Sequence, residues 1–112
     1  MQDGVYLKFY VAEKRRHHGI LAYEWLLEEA RKCGLHGGSA FRALAGFGRH
    51  GRLHEEHFIE LAGDLPVEVG FALGTAEADA FLAHLAGEEL ALFYIRLPLQ
   101  MGIVGNGSGK AG

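Results

Sequence analysis

Two hydrophobic periods alternate from one end of the chain to the other. From Val5 to Ala12 apolar residues recur at every second position: Val5, Leu7, Phe9 and Val11 face one way, Tyr6, Lys8 and Tyr10 the other. That period predicts a strand with one buried face. A charged turn covers Glu13 to Gly19, and Ile20 to Cys33 then takes helical spacing. Ala22, Leu26, Ala30 and Cys33 form one stripe, widened by Tyr23 and Leu27. Gly34 stands where a helix commonly ends in the left-handed conformation. Ser39 to Ala45 returns to period two, with Phe41, Ala43 and Ala45 opposite Ala40, Arg42 and Leu44. Phe58 to Leu61 is a short apolar patch of no assigned type, and Gly63-Asp64 is a turn signal. Pro66 suits a strand entry, and Val67, Val69, Phe71 and Leu73 alternate after it as a third strand. Thr75 is a candidate N-cap with Glu77 in the first turn. Ala78, Phe81, Leu82 and Leu85 then predict a helix over Thr75 to Ala86, ended by Gly87. Ala91, Phe93, Ile95 and Leu97, opposite Leu92, Tyr94 and Arg96, give the last strand.

The order β-α-β-β-α-β predicts an α+β, ferredoxin-like fold: a four-stranded antiparallel sheet with two helices on one face. The other face is expected to carry Tyr6, Tyr10, Leu44, Leu92 and Tyr94 among Lys8, Arg42 and Arg96. Large apolar groups gathered on an uncovered face point to self-association through that face or its edges. Residues 1–101 read as this single domain, and the glycine-rich 102–112 as a flexible tail.

Composition narrows the function classes. A chain of 112 residues that is 49% hydrophobic has material for a core and is not globally disordered. Its net charge of −3 gives no general attraction for nucleic acid, so none is expected as a partner. Positive charge is local, in Lys14-Arg15-Arg16 and between Arg49 and His57. Cys33 is the single cysteine, so no intramolecular disulfide is available; its place on the helical stripe suggests a buried thiol. Met1-Gln2-Asp3 lacks the basic start of a signal peptide, and no run reaches the roughly 18 apolar residues of a spanning helix. The reading is a soluble, cytoplasmic protein.

The chemistry-bearing residues concentrate after the second strand. Ser39 to His57 runs from alternating positions into a loop with Arg49, His50, Arg52, His54 and His57. Gly46-Phe47-Gly48 and Gly51 would let the main chain approach a ligand closely. Arg42, Arg49 and Arg52 could grip phosphate or carboxylate through their planar guanidinium forks, or pair with Glu55, Glu56 or Glu60. The candidate ligand-binding set is therefore Arg42, Gly46, Phe47, Gly48, Arg49, Gly51, Arg52 and His54. His50, His54 and His57 would share a face if their segment were helical, which makes them the candidate metal ligands. His17-His18 is a second pair. Spacing obliges none of them to meet, and no cofactor follows from these residues; the balance is against a metal. Gly46-x-Gly48-x-x-Gly51 matches the dinucleotide fingerprint only as a string, because it leads to a strand rather than opening a helix. Gly109-Lys110 lacks the remaining residues of a P-loop. Glu55 and Glu56 are adjacent and would diverge, and no serine or cysteine stands in a nucleophile's setting, so an enzyme is not expected. Trp25 reads as packing.

Gly4-Val5-Tyr6-Leu7-Lys8, Gly34-Leu35-His36-Gly37-Gly38-Ser39-Ala40, Arg42, Gly46-Phe47-Gly48, Gly51 to His54 and Asp64-Leu65-Pro66-Val67 occur in the order seen in one family. On these motifs the chain resembles DUF190, small proteins of uncharacterised function that look like PII signalling proteins, over about Met1 to Leu99. The resemblance implies a homotrimer whose open sheet faces turn toward a central axis. It also implies a small anionic effector in the clefts between subunits, an adenine nucleotide being the family analogy. The loop at 46–57 would signal to a protein or membrane-transporter partner. Ala43 stands where relatives usually have glycine, and Leu73 where they often have aspartate. Gly87-Glu88-Glu89 is short and acidic where true PII proteins carry a basic, phosphate-binding glycine loop. Two alternatives remain beside the regulator: a transition-metal-binding or metal-tolerance trimer using the loop histidines, and an interaction module without a small ligand.

Overall fold

The computed structural model describes residues 1–47 and 65–107. Strand β1 (Gln2–Ala12) leads into a small hairpin, β2 (Arg16–His17) and β3 (Ile20–Leu21), and then helix α1 (Ala22–Lys32). β4 (Ser39–Arg42), β5 (Pro66–Leu73), α2 (Thr75–Leu85) and β6 (Phe93–Met101) follow. The sheet order is β4-β5-β1-β6 and every neighbouring pair is antiparallel. This is the predicted ferredoxin-like arrangement, with the first and third long strands at its centre.

The core lies between that sheet and the two helices. Val5, Leu7, Phe9 and Val11 of β1 and Val67, Val69, Phe71 and Leu73 of β5 are buried against Trp25, Leu26 and Ala30 of α1 and Ala78, Phe81 and Leu85 of α2. Phe9, Phe71 and Phe81 meet edge to face, with centroids 5.5 to 6.2 Å apart, the geometry their ring quadrupoles favour. Gly34 has φ +86°, and the Gly34 and Leu35 N–H groups donate to Arg31 and Ala30 carbonyls. This pair of bonds is a Schellman ending, and Leu35 packs on the core beside it. At the other helix Gly74, rather than Thr75, is the N-cap; its N–H donates to the Glu77 carboxylate at 2.9 Å.

Several expected positions shift. The turn at 13–19 folds into the β2–β3 hairpin, so α1 begins at Ala22. Cys33 is exposed, because it caps the helix beyond its buried stripe. β4 stops at Arg42, leaving Leu44 in a bend, and β6 continues to Met101. Pro98 is tolerated there because β6 is an edge strand, with a side that needs no ladder donors.

The register corrects the composition of the open face. Tyr10 pairs with Phe93, Lys8 with Ile95, Tyr6 with Leu97 and Gly4 with Leu99, so these β6 residues share the helix-free side. Tyr94 and Arg96 take the helix side: Tyr94 lies 5.9 Å from Phe9, and Arg96 pairs with Asp79 of α2 at 2.8 Å. Leu92 packs on the core before the strand begins. Phe41, opposite Glu68, faces the open side, whereas Arg42, opposite Val67, does not. A period-two pattern fixes which residues share a face but not which face is buried when both are apolar.

Candidate functional site

The open face becomes concave beside β4. Tyr6, His36, Gly37, Gly38, Ser39, Phe41, Gly70 and Ala72 line a depression of about 330 Å³, a volume within the range of small-ligand sites. Its form follows from small residues on the strands. A Cβ at Gly70 would stand 2.0 Å from the Tyr6 hydroxyl oxygen, so glycine there lets the tyrosine lie across β5. Gly38 sits on the Phe71 ring, with the position of a Cβ 2.4 Å from its nearest carbon. The chain therefore descends closely from the end of α1 into β4, bringing Gly37, Gly38 and Ser39 to the rim. Phe41 is 62% exposed and offers a free aromatic surface at the same rim.

Charge beside the depression is paired. Lys8 reaches Glu68 at 3.2 Å and stands 5.8 Å from the ring centroids of both Tyr6 and Tyr10. The Glu68 hydrogen bond raises the pKa of this ammonium against the opposing effect of burial. Arg42 is held by Glu13 at 2.8 Å on the far side of the edge strand.

The segment predicted to carry the ligand chemistry begins and ends on this scaffold. Ala43 N–H donates to Pro66 O at 2.9 Å, Gly46 lies against the Pro66 ring, and Glu13 N–H donates to Leu65 O. Of the sequence-predicted residues, Arg42, Gly46 and Phe47 belong to this anchored part, and Phe47 is exposed. Gly48, Arg49, His50, Gly51, Arg52, His54 and His57 lie outside the described residues. Tyr6, Phe41 and the Gly37–Ser39 rim were absent from the predicted site. The signal for them was Gly70, a lone glycine inside an apolar strand, which marks a close approach by another group.

A second cluster lies at the opposite end of α1. His18, with φ 52°, and Gly19, with φ 83°, form the two-residue turn between β2 and β3, which is the primed hairpin geometry. His17 and His18 are brought to one oxygen of Glu88, at 3.0 and 3.1 Å. These hydrogen bonds, His17's first, hold the Glu88 carboxyl below the ordinary glutamate range. His17 also stands edge-on to Trp25 at 4.5 Å. Among the described residues no helix is long and apolar enough to cross a membrane.

This architecture matches known structures of PII-like proteins. A protein of Thermus thermophilus described as PII-like signaling superposes with a TM-score of 0.54 at 20% identity, over 88% of this chain and 91% of that one. CPII of Thiomonas intermedia K12, solved bound to ADP, AMP and acetate, gives 0.57 at 15% identity, over 92% and 94%. In sequence, the UPF0166 protein of Aquifex aeolicus (strain VF5) is 30% identical over 86 residues, spanning 77% of this chain and 82% of the relative. The family DUF190, Uncharacterized ACR, matches residues 4–88. With that match covering most of the chain, and with a PII-like fold beneath it, the protein belongs to the DUF190 family.

Proposed function

We propose that this chain is a non-enzymatic, PII-like regulatory protein that assembles as a trimer and binds a small anionic effector, an adenine nucleotide in class, at clefts between subunits. The observation that carries the reading is the depression on the open face. The rings of Tyr6 and Phe41 line it together with His36 and the small residues Gly37, Gly38, Ser39, Gly70 and Ala72. That lining suits a flat base, which stacks on an aromatic surface whatever its hydrogen-bonding edge. The nucleotides bound to the Thiomonas protein make the same class the first to test here. Arg42 faces away from the depression, so its part in binding phosphate is to leave Glu13 and reach around the edge strand β4. Arg49, Arg52 and His54 add to the cationic contribution, Gly46, Gly48 and Gly51 permit close approach, and Phe47 completes the set. The 46–57 segment carries the signal of binding to a protein or transporter partner.

Metal-stripped protein should be unfolded by heat against ATP, ADP, AMP and cyclic nucleotides. A ligand at a hundred times its dissociation constant adds about 2.7 kcal/mol per site, enough to raise the midpoint by several degrees. Phe41→Ala should leave the unliganded midpoint nearly unchanged, since the ring is exposed, and should reduce the nucleotide shift. Arg42→Ala should weaken phosphate-bearing ligands more than adenosine. A flat panel would remove the nucleotide reading and leave the metal-binding trimer and the interaction module.

Assembly has its own test. The face bearing Tyr6, Tyr10, Phe93, Ile95 and Leu97 is too apolar to be left to water. Leu97 is half-exposed in the single chain and lies opposite Tyr6. Leu97→Asp would place a charge in the proposed contact. Light scattering on a sizing column should report a trimer for the parent and a mass near 12.2 kDa for the variant. A monomeric parent would refute the assembly.

A further inference from the structure

We propose that His17, His18 and Glu88 form a binding site for a late first-row divalent cation of the zinc, nickel or copper class. The three side chains come from two distant parts of the chain, the β2–β3 hairpin and the residues after α2. Their candidate ligand atoms all lie within 4.8 Å of one another. A tetrahedral zinc ion with bonds of about 2.0–2.1 Å separates its ligand atoms by roughly 3.3 Å. The two imidazole Nε2 atoms already stand 3.0 and 3.1 Å from the same Glu88 oxygen. Small outward movements would admit an ion between them.

The local backbone creates this convergence. Adjacent residues in a strand point to opposite faces, so an extended His17-His18 would separate its rings. The left-handed conformation of His18 instead leaves the two ring centroids 4.1 Å apart. Arg16 donates to the Gly19 carbonyl at 2.9 Å and holds the turn. Trp25, itself in the core, packs edge-on against His17 and limits its rotation. His18 stays open to solvent, so an ion has a path of entry. Two imidazoles and one carboxylate suit a borderline cation better than magnesium or calcium, which favour all-oxygen sets. Each histidine would bind through Nε2 with its proton on Nδ1. Three protein ligands leave a further coordination position for water.

The test is calorimetric titration of the metal-stripped full chain with Zn²⁺, together with the visible spectrum on adding Co²⁺. Two variants remove ligands at little risk to the fold. His18→Asn keeps a residue that tolerates the left-handed conformation, and Glu88→Gln keeps the shape of the side chain. A third, His50→Ala/His54→Ala/His57→Ala, removes the histidines that spacing had suggested. Circular dichroism of each metal-free variant establishes that it is folded. The expected result is one Zn²⁺ per chain and a four-coordinate Co²⁺ spectrum, both kept in the triple variant. His18→Asn and Glu88→Gln should each lose more than the roughly 10–100-fold in affinity typical of residues that only orient a ligand. Absence of binding in the parent would overturn the proposal. So would binding that survives both single variants, or that disappears only in the triple variant.

Discussion

Phe9→Ala is expected to lower the unfolding free energy by about 3–5 kcal/mol, the range for removing a large aromatic side chain from a packed core. Phe9 is almost completely buried at the centre of β1. Its ring meets Phe71, Phe81 and Tyr94, and therefore joins both central strands, α2 and the β6 edge in one contact set. Deleting it removes apolar burial and leaves a cavity among rigid rings that cannot all move inward. A domain of this size has about 5–15 kcal/mol in total, so the loss is a large share. Urea unfolding followed by circular dichroism, at one fixed protein concentration, should show a lower midpoint with an unchanged slope. A loss below about 1 kcal/mol would mean that the ring is not packed as described.

Gly38→Ala is expected to cost roughly 1–3 kcal/mol, from overpacking rather than from a cavity. The added methyl would lie 2.4 and 2.6 Å from two carbons of the Phe71 ring and 3.3 Å from Leu27. Phe71 cannot turn away, because Phe9 and Phe81 enclose it. The strain should instead push the start of β4 outward and deform the depression that Gly38 helps to line. Gly37→Ala is the internal control. Nothing lies within 4 Å of a Cβ at Gly37, so its cost should stay within about 0.5 kcal/mol apart from backbone effects. A Gly38→Ala protein as stable as the control would refute the close approach. If it also loses the nucleotide shift that Gly37→Ala keeps, the aromatic core is what shapes the proposed site.

These two residues show why the fold was legible in the chain and the site much less so. Val5 to Val11, Val67 to Leu73 and the stripes of α1 and α2 each carry a local period, and a local period needs no knowledge of partners. The ends of α1 were legible in part, since Gly34 is a local stop signal and Cys33 beyond the stripe was not. The depression joins Tyr6 of β1, Gly70 of β5 and Gly38 before β4, which no spacing rule relates. Nor could spacing pair His17 and His18 with Glu88, some 70 positions away.

What the amino-acid order settles alone is the β-α-β-β-α-β series of main elements, the four inward-facing hydrophobic sets, and the family motifs from Gly4 to Val67. Short-range sterics and the two side-chain periods are enough for these. Register and packing settled the rest. They turned Phe93, Ile95 and Leu97 to the open face and Tyr94 and Arg96 to the helices, and they paired Arg42 with Glu13. They also folded a two-residue turn that gathers two adjacent histidines onto one carboxylate. The physical reason is that alternation has two equivalent solutions when both faces of a strand are apolar. Only contacts between elements distant in sequence select one of them.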